Sequence, residues 1–187
     1  MVALIILISI MRKINNDELS RLTVDDFKAA DKMPLVVVLD NVRSSNNVGS
    51  VFRTSDALLV SKICLCGITA IPPDKEIHKT ALGAENSVEW EYYKTTEEAV
   101  EILRKEGYTI IAIEQVEKSI SLHEYLPAPD EKLALIFGNE VKGVQQEVVN
   151  LCDKTIEIPQ FGTKHSFNIA VSAGIVLWDL FNKLKHQ

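Results

Sequence analysis

The sequence predicts an α/β protein with a mostly parallel sheet flanked by helices. Short, continuous apolar runs such as residues 35–40 and 133–137 are typical of strands buried on both faces. Segments with helical spacing and capping residues alternate with these runs, which favours crossover connections and parallel strand pairing. At 187 residues, 47% of them hydrophobic, the chain is long enough for one domain with a substantial core.

The first half of the chain alternates helices and strands. Asn15 or Asn16 is expected to cap a helix that has Asp17 and Glu18 in its first turn and runs to about residue 31. Pro34 then resets the chain before the first strand. The remaining elements of this half are the strand 35–40, a helix over about 47–59, a strand over 61–67, a short helix within 72–82, and a strand over 87–93 that could lie at an edge.

The second half continues the alternation. Thr95 and Glu98 have capping-box spacing and Gly107 closes the segment, so we expect a helix between Thr95 and Gly107. The later elements are strands over 108–114, 132–138 and 154–159, a helix over 144–152, and a long apolar helix within 165–185 that has lysines near its end.

Charge and cysteine content narrow the possible functions. The formal net charge of −6 gives no global attraction to nucleic acid, so RNA binding would need a local basic patch or a dimer that concentrates the cations. Cys64, Cys66 and Cys152 do not form a disulfide framework, which favours a reducing cytoplasmic location. Alternation places Cys64 and Cys66 on one face of a strand as core thiols, and we expect no metal site.

The first ten residues, MVALIILISI, form an apolar segment too short to span a bilayer as a helix. The segment also lacks the basic region and cleavage site of a signal peptide. We interpret it as an extension upstream of a natural start at Met11, and alternatively as an edge strand or an oligomer contact. The predicted organisation is therefore an N-terminal extension and helix over 1–33, followed by one domain over 34–187, with no membrane association.

Three predicted strands end in unusual loops, and ligands of parallel sheets bind beyond the carboxyl ends of strands. After the first strand, Gly49 would allow close backbone approach, and the helix N-terminus would offer free N–H groups to an anion. Arg53 could bind a phosphate bidentately. Alternatively, Asn46 or Asn47 is only an N-cap and Arg53 only a solvated surface charge.

The second and third loops leave similar alternatives open. In GNEVKGV, Glu140 either accepts hydrogen bonds from free backbone amides or is a solvated acid in a plain turn. In IPQFGTKHSFN, Ser166 and Asn168 precede the last helix, and either could simply cap it. A Ser–His hydrolase dyad is disfavoured because the G-x-S-x-G elbow is absent. Lys164 and His165 more plausibly face a polyanion.

Taken together, these loops resemble motifs of the SPOUT superfamily, specifically the SpoU-type (TrmH-like) tRNA/rRNA ribose 2′-O-methyltransferases. NNVGSVFRTSDAL is similar to the first family motif, FGNEVKGV to the second, and IEIPQFGTKHSFNIAVSAGIVLWDL to the third. The intervening HKTALGAENSVEW resembles a segment common in short members. Three motifs in order, over about residues 35–181, are a specific signal.

The resemblance implies a fold, a reaction and a set of site residues. It implies a C-terminal deep trefoil knot, a homodimer with the site at the subunit interface, S-adenosylmethionine as the methyl donor without a metal, and tRNA or rRNA as the substrate. The implied catalytic residues are Arg53, Asn47, Glu140, Ser166 and Asn168. The implied donor-binding residues are Gly138, Ile158 and Phe167, the last replacing the family's usual Leu. The implied RNA-binding residues are Arg43, Arg53, Lys164 and His165.

The role expected for Arg53 follows from the chemistry of the ribose hydroxyl, which is a poor nucleophile at neutral pH. A fixed cation near this oxygen would stabilise the developing alkoxide. Two other functions remain as alternatives: a non-catalytic dimeric module that binds RNA or the methyl donor, and an unrelated small-molecule enzyme that shares the sheet. The sequence does not indicate which RNA or which nucleotide is the target.

Overall fold

The structure is a computed structural model that describes residues 12–185. The expected extension over residues 1–10 lies outside the described residues. The rest of the chain folds around one seven-stranded sheet in which every pair of neighbouring strands is parallel. The strands are β1 Met33–Asp40, β2 Val60–Cys66, β3 Glu89–Tyr93, β4 Thr109–Ile113, β5 Ile120–Ser121, β6 Leu133–Phe137 and β7 Lys154–Glu157.

The strand order across the sheet is β3-β2-β1-β6-β4-β7-β5. The predicted parallel α/β architecture is therefore confirmed, and β3 is an edge strand as the sequence suggested. The helices are α1 Val24–Ala29, α2 Ser45–Ala57, α3 Lys75–Ala81, α4 Thr96–Lys105, α5 Gln146–Val149 and α6 Ile169–Lys185. None of the helices within residues 12–185 is long and apolar enough to cross a bilayer.

The helix predicted from Asn15 or Asn16 to about residue 31 is wrong. This segment contains a 3-10 turn at Asn16–Glu18 and then the separate helix α1. Thr23 starts α1 with a complete capping box: its hydroxyl accepts from the Asp26 N–H, and the Asp26 carboxylate accepts from the Thr23 N–H. The apolar residues before Thr23 are exposed, so no buried stripe supports a longer helix there.

Strand β1 is apolar up to its final residue, Asp40, because both of its faces are covered. Leu35, Val37 and Leu39 join the core on the side of α2 and α6, while Val36 and Val38 join a second core on the side of α4. All five side chains are fully buried. The sheet thus forms the middle layer of three, and its edges carry the loops.

Helix α2 begins earlier than predicted, and its cap is Ser44. The Ser44 hydroxyl accepts from the Asn47 N–H at 3.3 Å, so neither Asn46 nor Asn47 is the N-cap. The close backbone approach expected at Gly49 is present, and its partner is α3. A Cβ at Gly49 would lie 2.3 Å from the Ile77 carbonyl oxygen, so this glycine lets α2 pack closely on α3.

Helix α6 has one covered face and one exposed apolar face. Val176, Leu177 and Leu180 are buried within the chain. Ile175 and Trp178, which lie one turn apart on α6, are 36% and 59% exposed. The helix is therefore apolar on more sides than its own domain covers.

Two smaller helix predictions need correction. Helix α5 spans only Gln146–Val149, shorter than the predicted 144–152. At α4, Thr95 accepts from the Glu98 N–H as expected, but the Glu98 carboxylate accepts from the Lys94 N–H rather than from Thr95 itself, so the capping box is incomplete.

Candidate active site at the carboxyl edge of the sheet

Glu140 lies at the centre of a hydrogen-bond network between loops. Its Oε2 accepts from the Arg43 N–H at 2.9 Å, and its Oε1 accepts from the Ser44 N–H at 3.1 Å and from Asn47 Nδ2 at 3.0 Å. The carboxylate, from the loop after β6, therefore binds the turn between β1 and α2. Glu140 therefore accepts hydrogen bonds from free backbone amides, which is one of the two alternatives that the sequence left open.

Asn168 extends the network to the loop after β7. Its Nδ2 donates to Asn47 Oδ1 at 3.1 Å, while its Oδ1 accepts from the Ala170 N–H at 2.9 Å and so caps α6. Asn47 thus donates to Glu140 and accepts from Asn168. The three predicted loops, far apart in sequence, are joined by consecutive side-chain hydrogen bonds.

The environment of Glu140 favours its charged form. Burial raises the pKa of this carboxyl, but the hydrogen bonds donated by Arg43, Asn47 and Ser44 outweigh that effect and hold the pKa below its usual value. Glu140 therefore remains an acceptor at neutral pH. Its bonding capacity is used to hold the loops, which is consistent with a positioning role rather than proton transfer.

The loop after β6 is tightly folded. Asn139 and Gly143 exchange backbone hydrogen bonds of 3.0 and 2.8 Å, and Gly143 has a φ of +68°. A Cβ at Gly138 would lie 2.0 Å from the Gly143 carbonyl carbon, so only glycine fits at that position. The Asn139 side chain also donates to the Asn41 carbonyl at 2.7 Å, which ties this loop to the end of β1.

The loop after β7 leaves its backbone available to a ligand. Among the described residues, no partner accepts a hydrogen bond from the backbone N–H groups of residues 160–167. The loop is nevertheless anchored, because Gln115 Nε2 donates to the His165 carbonyl at 2.9 Å. Ile158 is half-buried and Phe167 is 42% exposed at the two ends of this segment.

The remaining predicted residues lie outside the network. Arg53 is exposed on α2, and within residues 12–185 its guanidinium forms no hydrogen bond or ion pair. It lies six residues after Asn47, about 9 Å further along the helix axis. Ser166, Lys164 and His165 are also exposed, and within residues 12–185 their side chains form no hydrogen bond or ion pair with the network.

The backbone of Arg43 belongs to the network, but its side chain does not. Its backbone N–H is bound to Glu140 Oε2, but its exposed side chain forms no hydrogen bond or ion pair within the described part of the chain. The structure therefore brings together Asn47, Glu140 and Asn168, with Arg43 attached through its backbone. The other cations are left free to contact an external partner.

Asp40 is a supporting residue that the sequence reasoning missed. This fully buried carboxylate accepts from Thr96 Oγ1 at 2.6 Å, and from the N–H and the Nε2 of Gln145 at 3.1 and 3.0 Å. It thereby fixes the far end of the loop that contains Glu140. The available signal was an acid that ends a fully apolar strand, because a buried carboxylate must find donors.

Glu114 was also missed, and it follows β4 at the same edge of the sheet. Its Oε2 accepts from the Val144 N–H at 2.9 Å, and a Cβ at Gly143 would lie 2.1 Å from this oxygen. Glu114 and the neighbouring Gln115 therefore hold the loops after β6 and β7 respectively. Neither residue belongs to a recognisable motif, so only the coordinates connect them to the site.

The thiols and acids do not form a metal site in the described residues. No group of three or more His, Cys, Asp or Glu side chains within residues 12–185 is arranged to hold an ion. Burial raises the pKa of the Cys64 thiol to about 12, and burial likewise raises the pKa of Cys66. The prediction that these two cysteines are core thiols is confirmed.

A parallel sheet whose loops join in a polar network at the carboxyl edge defines an α/β protein of the class that binds ligands at strand ends. The particular family follows from comparison with known proteins. Residues 34–178 match the model of the SpoU rRNA Methylase family. The chain therefore belongs to this family, as its three motifs predicted.

Individual relatives agree with this assignment. The chain is 29% identical over 154 residues to the tRNA (guanosine(18)-2'-O)-methyltransferase of Borreliella burgdorferi. The aligned region covers 81% of this chain and 67% of that protein. The crystal structure of the Aquifex aeolicus TrmH/SpoU tRNA modifying enzyme is 26% identical with a TM-score of 0.75, covering 86% and 79% of the two chains.

A third relative was solved with a ligand. The AdoMet-bound rRNA methyltransferase from Sinorhizobium meliloti is 26% identical with a TM-score of 0.74, covering 84% of this chain and 59% of that one. The chain spans between 56% and 67% of the length of the first curated relatives it matches. These likenesses therefore concern the shared domain.

Proposed function

We propose that this protein transfers a methyl group from S-adenosylmethionine to a ribose 2′-hydroxyl of tRNA or rRNA. The observation that carries the proposal is the chain of hydrogen bonds through Glu140, Asn47 and Asn168, which unites the three family motifs at one edge of the sheet. Relatives named for 2'-O-methylation of tRNA and an AdoMet-bound rRNA methyltransferase support the same chemistry.

The residues present suit a donor held mainly by main-chain groups. The backbone N–H groups of residues 160–167 have no acceptor among the described residues, and Gly138 keeps the neighbouring turn close to the end of β6. We assign Gly138, Ile158 and Phe167 to this pocket. S-adenosylmethionine, when bound, supplies an electrophilic methyl group on a sulfonium. Bulky Phe167 in place of Leu would narrow the pocket on its side.

Arg53 is the proposed catalytic cation. Its guanidinium has no internal partner in residues 12–185, so all of its donors are available to the substrate. A positive charge near the 2′-oxygen stabilises the alkoxide that develops as the proton leaves. Arginine holds its proton at any usable pH, so we assign it electrostatic activation rather than proton abstraction.

The other assigned residues orient the reactants. Glu140 fixes the turn that begins α2, and α2 carries Arg53, so a displacement of this turn would shift the cation. Asn47 and Asn168 couple that turn to the third loop. Ser166, exposed two residues before Asn168, is assigned to contact the ribose. Alignment of oxygen and methyl group matters because methyl transfer is an in-line displacement.

RNA binding is assigned to the exposed cations at this edge. Arg43, Arg53, Lys164 and His165 are exposed, and no acid lies between residues 158 and 168. Phosphate contacts from these few side chains would have to overcome a net charge of −6, so binding should weaken steeply with added salt. Loops with splayed nucleotides suit a ribose that must enter a cleft.

A homodimer would cover the exposed face of α6 and complete the site. A groove of about 590 Å³, lined in part by Leu122, Pro159, Ile175 and Trp178, runs along this helix next to the third loop. We propose that the partner subunit fills this groove and that Arg53 acts at the shared interface. Sedimentation at micromolar concentration should give a dimer, and a stable monomer would contradict this part of the proposal.

Three further assignments accompany this function. The catalytic domain is assigned to residues 34–187, with residues 1–33 as an extension and helix. The loops after β6 and β7 are assigned to a deep trefoil knot of the SPOUT type. The reaction is assigned to the cytoplasm, in agreement with the free thiols among the described residues.

The function is tested with tRNA and rRNA transcripts made in vitro, which lack ribose methyl groups. Incubation with S-adenosylmethionine, followed by nucleoside mass spectrometry, should reveal a 2′-O-methyl nucleoside. Methylation of a base instead would contradict the proposal. Binding of S-adenosylhomocysteine and RNA without any transfer would favour the alternative, a non-catalytic binding module, whereas failure to bind S-adenosylhomocysteine would favour an unrelated enzyme.

A further inference from the structure

Phe161 has an unusual environment for a large apolar side chain. It is 97% exposed, the largest value of any large hydrophobic residue in the described part of the chain. Its ring thus gains nothing from the core, although burying a phenylalanine is strongly favourable. It lies in the loop between β7 and α6, at the edge of the sheet that carries the site.

The loop holds this ring close to the site. At one end the chain leaves β7 through Ile158 and Pro159, and proline restricts the backbone there. At the other end Gln115 binds the His165 carbonyl, and Asn168 binds Asn47. The loop therefore begins at a strand of the sheet and is tied to the network at its other end through Asn168, while the Phe161 ring projects from it into solvent.

The surroundings of the ring suit a nucleic acid. Lys164 and His165 follow within four residues, and residues 158–168 contain no aspartate or glutamate. The side chains of both cations lack internal partners in the described residues. An open aromatic face beside free cations, in a protein whose net charge is −6, matches the combination of stacking and phosphate contacts by which proteins bind unpaired nucleotides.

We propose that Phe161 is a stacking platform for an unpaired base of the RNA substrate, near the nucleotide whose ribose is methylated. This inference rests on the proposed function and adds a residue that selects unstacked RNA. A planar ring is required, because a base stacks on an aromatic face and not on an aliphatic side chain. Lys164 supplies a phosphate contact beside the platform.

The test compares Phe161→Leu with Phe161→Trp by filter binding of unmodified tRNA transcripts, with S-adenosylhomocysteine at saturation. Loss of one stacked base should weaken binding by roughly 5- to 100-fold in Phe161→Leu, whereas Phe161→Trp should stay within about threefold of the unaltered protein. Leu126→Ala is the matched control, because Leu126 is 72% exposed but lies beside Tyr125, which packs against Lys154 at the opposite edge of the sheet.

Salt dependence separates stacking from charge. Phe161→Leu should leave the slope of log affinity against log salt unchanged, whereas Lys164→Ala should reduce it by about one. The platform is overturned if Phe161→Leu binds RNA as tightly as the unaltered protein, if it loses S-adenosylhomocysteine affinity, or if sedimentation shows that it dissociates a dimer. Each of these results can occur while the unaltered protein still methylates RNA, so they leave the proposed function intact. If the unaltered protein neither binds nor methylates any transcript, both the proposed function and the Phe161 platform are overturned.

Discussion

Substituting Glu140 by Gln tests the network that joins the three loops. Gln has nearly the same shape as Glu but only one acceptor oxygen and no charge. If that oxygen keeps the Ser44 and Asn47 contacts, the new amide group faces the Arg43 N–H, which was 2.9 Å from Oε2. The hydrogen bond from the Arg43 N–H to a charged oxygen is then lost, and in its place two N–H donors face each other.

The size of the effect follows from these contacts. Hydrogen bonds to a charged group contribute about 1.5–3 kcal/mol each when buried, but Glu140 is exposed, so water compensates for much of the loss. We expect Glu140→Gln to lower the free energy of unfolding by about 1–2 kcal/mol. Methyl transfer should fall further than stability, because the substitution also releases the turn that begins α2.

Urea unfolding at several pH values measures this prediction. The native pKa of Glu140 is lowered, so its stabilising contribution is fully present above the unfolded value of about 4.3 and is lost as the pH falls through the native pKa. The difference between the unaltered protein and Glu140→Gln should therefore be full at pH 7 and shrink below about pH 4. Glu101→Gln, at an exposed acid on α4 without a partner in the described residues, is the control.

A flat result would refute this reasoning. If Glu140→Gln unfolds at the same urea concentration as Glu101→Gln and methylates RNA at the unaltered rate, the network neither stabilises the loops nor positions the catalytic groups. A difference in stability that persists unchanged down to acid pH would show that the charge of Glu140 is not its cause.

Three other substitutions or treatments have defined outcomes. Gly138→Ala should lower the free energy of unfolding, measured in urea, by about 2–3 kcal/mol or more, because the added Cβ would lie 2.0 Å from the backbone. Gly162→Ala should leave this free energy unchanged, because a Cβ there has no neighbour within 4 Å. Gln115→Ala releases the His165 carbonyl and should weaken S-adenosylhomocysteine binding by about 2- to 10-fold in calorimetry, and unchanged affinity would contradict the anchoring role. Cys64, whose pKa is raised to about 12 by burial, should react with a thiol reagent at pH 8 only after unfolding, and rapid labelling of the native protein would contradict its burial.

The sheet and the motif loops were predictable because their signals are local. A continuous apolar run such as residues 35–39 can only be a strand or a buried helix segment, and its length favours a strand. The placement of Glu140 in a turn with free amides also followed from the sequence. What the sequence left open was whether Glu140 accepts hydrogen bonds from backbone amides or is a solvated acid, and the structure shows that it accepts from Arg43 and Ser44.

The missed features depend on contacts between distant segments. Asp40 and Gln145 are 105 positions apart, and no local pattern reveals that they bind each other. Close backbone approach was expected at Gly49, but the backbone that approaches it belongs to Ile77 on another helix, which no local pattern identifies. The first helix was misplaced because good capping residues occur where no apolar face is available to pack.

Arg53 supplies the charge on which the proposed methyl transfer depends, and single-turnover transfer by Arg53→Ala tests this role directly, alongside calorimetry with S-adenosylhomocysteine. Removing a group that stabilises a developing oxyanion typically slows the chemical step by about 10²–10³-fold. We expect a loss of that size with donor affinity and sedimentation unchanged, and only partial recovery in Arg53→Lys. Transfer by Arg53→Ala at close to the unaltered rate would contradict the central claim that this free guanidinium activates the ribose hydroxyl.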